Sequence, residues 1–141
     1  MTTFSDGSLP VRRRVARRVI AHQIREGCRI PVSTTLRYDT RDPYAVQFTF
    51  HVARGMDVVW YVDRGMLHAG VDAPAGTGDV RVSPAPAGQV LLSLDRDGHR
   101  AIIMMERGPL VRLLRETYAL VNLGGESAHL DWAPVTDALA S

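Results

Sequence analysis

The sequence predicts a single α+β domain, a curved and mainly antiparallel sheet of about six or seven short strands with helices towards the carboxy terminus. Three observations predict it. Apolar residues alternate with period two in several segments between residues 32 and 105, Gly, Pro and Asp clusters separate those segments, and only after Pro109 does the apolar spacing lengthen to that of a helix. With 141 residues and 45% apolar side chains, one core of ordinary size is feasible, burying roughly two-thirds of the unfolded chain's surface.

Residues 1–10 hold Ser5, Asp6, Gly7, Ser8 and Pro10 with few apolar side chains and read as a loose leader. The next segment has two readings. Val11, Val15 and Val19 fall at helical spacing and, with Arg12, Arg13, Arg14, Arg17 and Arg18, describe a basic helix, whereas Val19–Ile24 equally fits a strand. From Pro31 the pattern is clearer. Val32, Thr34, Leu36 and Tyr38 alternate, and Asp39–Pro43 is a turn cluster whose proline cannot continue a ladder, so a hairpin follows. Val46, Phe48, Phe50 and Val52 then share one strand face, opposite Gln47, Thr49 and His51. Gly55 marks a turn before Val58–Val62, a strand apolar on both faces. Asp63 is placed to cap a short helix through Leu67 that stops near Gly70, with Arg64 read as an exposed neighbour of the cap.

Gly76–Asp79 punctuates the second half. Val80 and Val82 lead to Pro84 and Pro86, and strands at Val90–Leu94 and His99–Met105 flank the turn signal Asp95–Gly98. Pro109 suits a first helical residue, after which Leu110, Leu113, Leu114, Thr117, Tyr118 and Val121 recur at helical spacing, with Arg112 and Glu116 four apart on the outer side. Gly124 and Gly125 break this helix, and Pro134 opens a final short one through Ala140. Strands 58–62, 90–94 and 101–105 are apolar on both faces, unusual for a sheet with one side in water. Either the sheet curls around its core or it is covered, by a second subunit, which makes an oligomer the expectation, or by a helix on each face.

The inventory excludes much chemistry. All 17 basic residues are Arg, so there is no Schiff-base amine and no phosphate-loop lysine. Cys28 alone cannot close an internal disulfide or build a multi-cysteine metal site, and gives no reason to expect an oxidising compartment. His22, His51, His68, His99 and His129 lack zinc-protease spacing, so no metal and no cofactor is expected. Gly76-Thr77-Gly78 precedes a strand rather than a helix, which makes it a strand-entry turn rather than a phosphate cradle. Asp95 and Asp97 start like a calcium loop, but no glutamate occupies the twelfth position. Cys28 with His51 sits in no nucleophile elbow, G-x-S-x-G does not occur, and no catalytic residue is expected. The longest apolar runs, Val58–Val62 and Ala101–Met105, fall far short of the roughly 20 residues of a membrane helix. No transmembrane segment and a cytoplasmic address are expected.

The net charge of +2 conceals an asymmetry. Residues 1–29 hold seven Arg against Asp6 and Glu26, while residues 30–141 hold ten Arg against 13 acids. Arg12, Arg13, Arg14, Arg17 and Arg18 are therefore the candidate partner-binding residues, suited to phosphate, an acidic protein or anionic lipid, with a solvated basic tail as the plainer alternative. Single-stranded nucleic acid is the alternative ligand, disfavoured because aromatic residues are few and sit in expected core strands.

Leu36-Arg37-Tyr38-Asp39-Thr40, followed by Asp42-Pro43-Tyr44-Ala45-Val46, resembles the central signature of the SsgA-like proteins, sporulation and cell-division regulators of actinomycetes. Phe50-His51, Trp60, Arg64, Leu67 and Gly70, then Gly76, Gly78, Asp79, Val80 and Pro84, and finally Val121, Gly124 and Glu126 resemble its later blocks in the same order. The resemblance covers about residues 15 to 139. It implies a Whirly-like α+β domain over residues 15–141 behind a flexible basic leader at 1–14, a homo-oligomer (trimer or dimer), no enzyme activity and no cofactor. It also implies an adaptor working by protein contacts with septal or wall-remodelling machinery at the division septum, with the division-ring protein FtsZ or another SsgA-like protein as partner. Under it the segment Val15–Ile24 tilts towards strand.

Overall fold

A computed structural model describes residues 9–132 and Pro134. The basic segment resolves as a strand. Strands β1 (Arg14–Arg25), β2 (Cys28–Asp39), β3 (Asp42–Ala53) and β4 (Met56–Asp63) form one antiparallel meander; β5 (Val80–Ala85), β6 (Gln89–Arg96) and β7 (His99–Glu106) form another. The meanders join antiparallel at β1 and β7, giving one sheet in the order β4-β3-β2-β1-β7-β6-β5. Tight turns adopt left-handed backbone at Glu26-Gly27 and Asp97-Gly98, the second with the Asp-Gly pair that such a turn favours. Gly76–Asp79 is the turn that enters β5, as its spacing suggests.

Pairing between β1 and β7 spans only His22–Ile24 with Ile102–Met104, so the halves splay apart beyond that seam and the sheet curls. On the inner face Leu36, Tyr38, Val46, Phe48, Val90, Leu92, Leu94 and Met105 form the core. At the far rim the Arg96 guanidinium lies 4.2 Å from the Trp60 ring centroid, joining β6 to β4 and leaving Trp60 half-buried.

Both helices lie on this inner face. Helix α1 (Arg64–Gly70) starts where Asp63 accepts from the Met66 backbone N–H at 2.8 Å, the cap its sequence predicts. It carries the chain from edge strand β4 towards the opposite edge, β5, across the mouth of the curl. Helix α2 (Arg107–Leu120) buries Leu110, Leu113, Leu114 and Thr117 on the core. It begins two residues before Pro109, because β7 runs into it without a loop and the Arg107 N–H bonds to the Gly88 carbonyl. A 3₁₀ turn, η1 (Glu126–His129), follows. The final helix expected over 134–140 lies outside the described residues, apart from Pro134.

The strands that are apolar on both faces are explained only in part. Val90, Leu92, Leu94, Ile103 and Met105 point into the core, but Leu91, Ile102 and Met104 project from the outer face, where neither helix lies. Among the described residues both helices share one face, and none covers the other.

Close approach of α1 to β5 depends on Gly70, where an added Cβ would stand 2.5 Å from Val82 Cβ and Cγ1. Gly70→Ala is therefore expected to cost about 1–3 kcal/mol by overpacking, read as a lower urea midpoint. An unchanged midpoint would contradict the packing.

Candidate functional site

As a strand, residues 14–18 alternate between the sheet's faces, and this divides the arginine cluster. Arg12 donates from Nε to both Asp39 carboxylate oxygens, at 3.0 and 3.1 Å, and holds that carboxyl below its ordinary range, helped by the Arg41 backbone N–H. Arg13 is tied through its backbone: its N–H donates to Thr40 Oγ1 and its carbonyl accepts from the Thr40 N–H, both at 2.9 Å. Arg17 turns to the inner face and meets Glu116 of α2 at 2.6 Å. Arg14 and Arg18 project from the outer face on either side of Ala16, whose pair on β2 is Arg37. Sequence proximity thus gathers five guanidinium groups that the fold distributes among a turn, a helix and a sheet face.

The arginine that sequence reasoning misplaced is Arg64. Far from being exposed, it is 1% accessible and is the largest fully buried side chain among the described residues. Its Nη1 donates to the Thr117 and Val121 carbonyls, at 3.1 and 2.8 Å, and Nη2 to Glu126 at 2.8 Å. Its guanidinium lies 4.0 Å from the Tyr118 ring centroid and 5.4 Å from that of Tyr38. A cation against the last carbonyls of α2 complements the helix dipole, while Glu126 supplies the counter-charge. Nε is buried without a partner. Tyr38 is itself fixed, donating to the Pro43 carbonyl at 2.8 Å, and burial pushes its hydroxyl up to about 12. The partners stand 53 to 62 residues from Arg64, beyond the reach of local spacing; the only sequence signal was its place in the family-like run from Trp60 to Gly70.

One relay on the outer face has the order of a nucleophile, base and acid. His51 Nδ1 meets Asp57 Oδ1 at 2.9 Å, and His51 Nε2 meets Thr35 Oγ1 at 2.9 Å. With Asp57 accepting from Nδ1–H, the Thr35 hydroxyl donates to Nε2. Thr35 pairs with Arg18 on one side and Thr49 on the other, so its backbone surroundings are engaged in ladders rather than aimed at an oxyanion. Cys28 does not join His51: it lies five residues along β2 from Ser33, the residue paired with His51, a separation of about 16 Å. Asp95 is paired with Arg100 at 3.1 Å, and Asp97 forms the turn. Among the described residues no three metal-ligating side chains converge, and no helix is long and apolar enough to cross a membrane.

Residues 32–126 match the model of the family described as Streptomyces sporulation and cell division protein, SsgA. The chain is 47% identical over 107 residues to the sporulation-specific cell division protein SsgB of Salinispora tropica, covering 72% of this chain and 75% of that one. It is 40% identical over 105 residues to SsgB of Streptomyces coelicolor, covering 72% and 77%. A solved structure described through mutations in SsgB that correlate to longitudinal cell division during sporulation of Streptomyces coelicolor superposes with a TM-score of 0.79, at 34% identity, over 84% of this chain and 96% of that one. The crystal structure of an SsgA-like sporulation-specific cell division protein from Thermobifida fusca gives 0.77 at 30% identity, over 91% and 94%. The matched span contains Arg64 and Glu126 and excludes Arg12–Arg18.

Two outcomes follow from the Arg64 contacts. Arg64→Met strands Glu126 and two helix-terminal carbonyls, and is expected to cost about 3–5 kcal/mol in urea unfolding at neutral pH. A loss below about 1 kcal/mol would show the contacts to be incidental. Glu126 is held below its ordinary value of 4.5 by its own backbone N–H and by Arg64. Its contribution is therefore complete above that value and is lost as pH falls through the lower, folded one. Glu126→Gln should start less stable and flatten the acid limb of the urea midpoint below about pH 4.5, whereas an unchanged limb would contradict the assignment.

Proposed function

The chain belongs to the SsgA family of sporulation and cell division proteins and so has a role in those processes; from that premise we propose that it acts as a non-enzymatic, homo-oligomeric adaptor at the division septum. In this reading residues 15–141 are the single family domain and residues 1–14 its basic leader. The observation that carries the proposal is the apolar outer face of the sheet, which no helix among the described residues covers. Ile20 (56% exposed) and the half-buried Ile24, Leu91, Ile102 and Met104 lie together across β1, β7 and β6, with both helices on the other side. An apolar stripe of this kind at the centre of a sheet favours a second copy of the chain as its cover. Arg14 and Arg18 beside it, with Arg12, Arg13 and Arg17, serve the second contact, a protein of the division or wall-remodelling machinery such as FtsZ or another family member.

Single-stranded nucleic acid remains the weaker ligand for those arginines. Arg12 and Arg14 share Asp39 and Arg17 is paired with Glu116, so three of the five arginines a polyanion would meet already face a carboxylate.

A fluorescent fusion is expected to concentrate at sporulation septa. The purified chain should sediment well above its monomer mass of 15.5 kDa, and Ile102→Glu with Met104→Glu should bring it down to that mass with its far-ultraviolet spectrum intact. Even fluorescence throughout the cytoplasm during sporulation, or a monomeric wild type, would count against the reading.

A further inference from the structure

A second surface lies on the opposite side of the molecule. Between α1 and α2 runs an open groove of about 570 Å³, within the range of sites that bind peptides and small molecules. Its floor is aliphatic: Val71 and Leu114 are almost fully buried there, and Val111 is half-buried. At one end Arg107 donates to Asp72 at 2.7 Å and to the Val71 carbonyl at 3.2 Å, so these two charges neutralise each other and close the groove. At the other end Leu123, 79% exposed, projects beside Asn122. Between the ends stand Arg115 and His68. The Arg115 guanidinium has no hydrogen-bond or ion-pair partner among the described residues, and with Asp72 engaged by Arg107 no free carboxylate faces it in the lining.

We propose that this groove docks a short segment of a partner protein in which an apolar side chain stands next to one or more carboxylates. The apolar side chain fills the space over Val71 and Leu114 and covers Leu123; a carboxylate takes the free donors of Arg115. Charge selects an acidic partner, since the only uncompensated ionic group in the lining is a cation. Aromatic geometry disfavours nucleic acid. Of the two rings in the groove, Tyr118 has a face occupied by the Arg64 guanidinium and is in edge contact with the other, His68, at 5.3 Å, so a base has little free π surface on which to stack. Length fits as well. From Arg107 to Tyr118 the helix advances about 16 Å, which an extended segment of about five residues spans. This inference rests on the adaptor reading, in which the chain works through contacts with other proteins, but it adds a site remote from the arginine cluster and from the apolar outer sheet face.

The test is selection of random peptides of about eight residues from a display library by the intact chain, followed by fluorescence polarisation with the synthetic winners. The enriched peptides are expected to join Leu, Ile or Phe to Asp or Glu, and to bind Arg115→Glu and Leu123→Ser, both exposed positions, at least about tenfold more weakly. No enrichment, enrichment without acidic residues, or equal binding by both variants would overturn the proposal. So would displacement of the peptide by a single-stranded oligothymidine, which would make the groove a nucleic-acid site, or a fall in sedimenting mass in either variant, which would make it a contact between copies. A septal fusion protein from which no peptide can be selected removes the groove and leaves the adaptor; bound peptides with a fusion that never reaches septa do the reverse.

Discussion

A guanidinium buried among tyrosine rings and carbonyl oxygens is the constraint around which this molecule is arranged. Moving a charge of that kind out of water costs several kcal/mol, and only good geometry recovers it. Here the acceptors come from three places that the curled sheet alone would leave loosely related: the first residue of α1 reaches the end of α2 and the start of η1, beneath Tyr38 of β2. Fixing those elements to one another closes the mouth of the curl and settles the side of the sheet on which the helices lie.

That choice of side has a functional consequence. With both helices drawn to the inner face, no described helix covers the apolar stripe of the outer face, and the helical layer presents a groove of its own in the opposite direction. The two surfaces differ in chemistry. One is broad, apolar and on the outside of the curl beside basic residues, the face proposed above to meet another copy of the chain. The other is narrow, aliphatic and bordered by an unpaired cation, suited to a short acidic segment. Under the adaptor reading proposed above, two such faces let one small domain join one protein to another. The His51 relay, whose hydroxyl sits between paired strands, is consistent with polar cross-strand packing.

Most of the sheet was legible in the sequence, because alternation along Val32–Tyr38 and Val46–Phe50 and the turn at Asp97-Gly98 are local signals with local causes; Val52, expected on the buried face, is exposed beyond a register shift between His51 and Ala53. The Asp63 cap was legible for the same reason. The amino-terminal segment was not, since Val11, Val15 and Val19 satisfy a helical period as well as Val15, Val19 and Ala21 satisfy that of a strand; pairing with β2, a tertiary fact, decides it. The same ambiguity hid the fate of the arginines, because a helix keeps Arg14, Arg17 and Arg18 on neighbouring positions whereas a strand sends Arg17 to the opposite side from the other two. Arg64 was misread for a deeper reason: an arginine is almost never fully buried unless partners are supplied, and these come from segments remote in the chain.

Whether the outer face is covered in solution decides the account. Oxidative footprinting of the purified chain reads it through methionine side chains that differ in position alone. Met56 is 64% exposed on the rim, Met105 is 2% exposed in the core, and Met104 lies between them in exposure, on the outer stripe. If copies of the chain meet there, Met104 is oxidised as slowly as Met105 while Met56 reacts fast. Oxidation of Met104 at a rate midway between the two, as its exposure in a single copy dictates, would show that nothing rests on that face and would contradict the account.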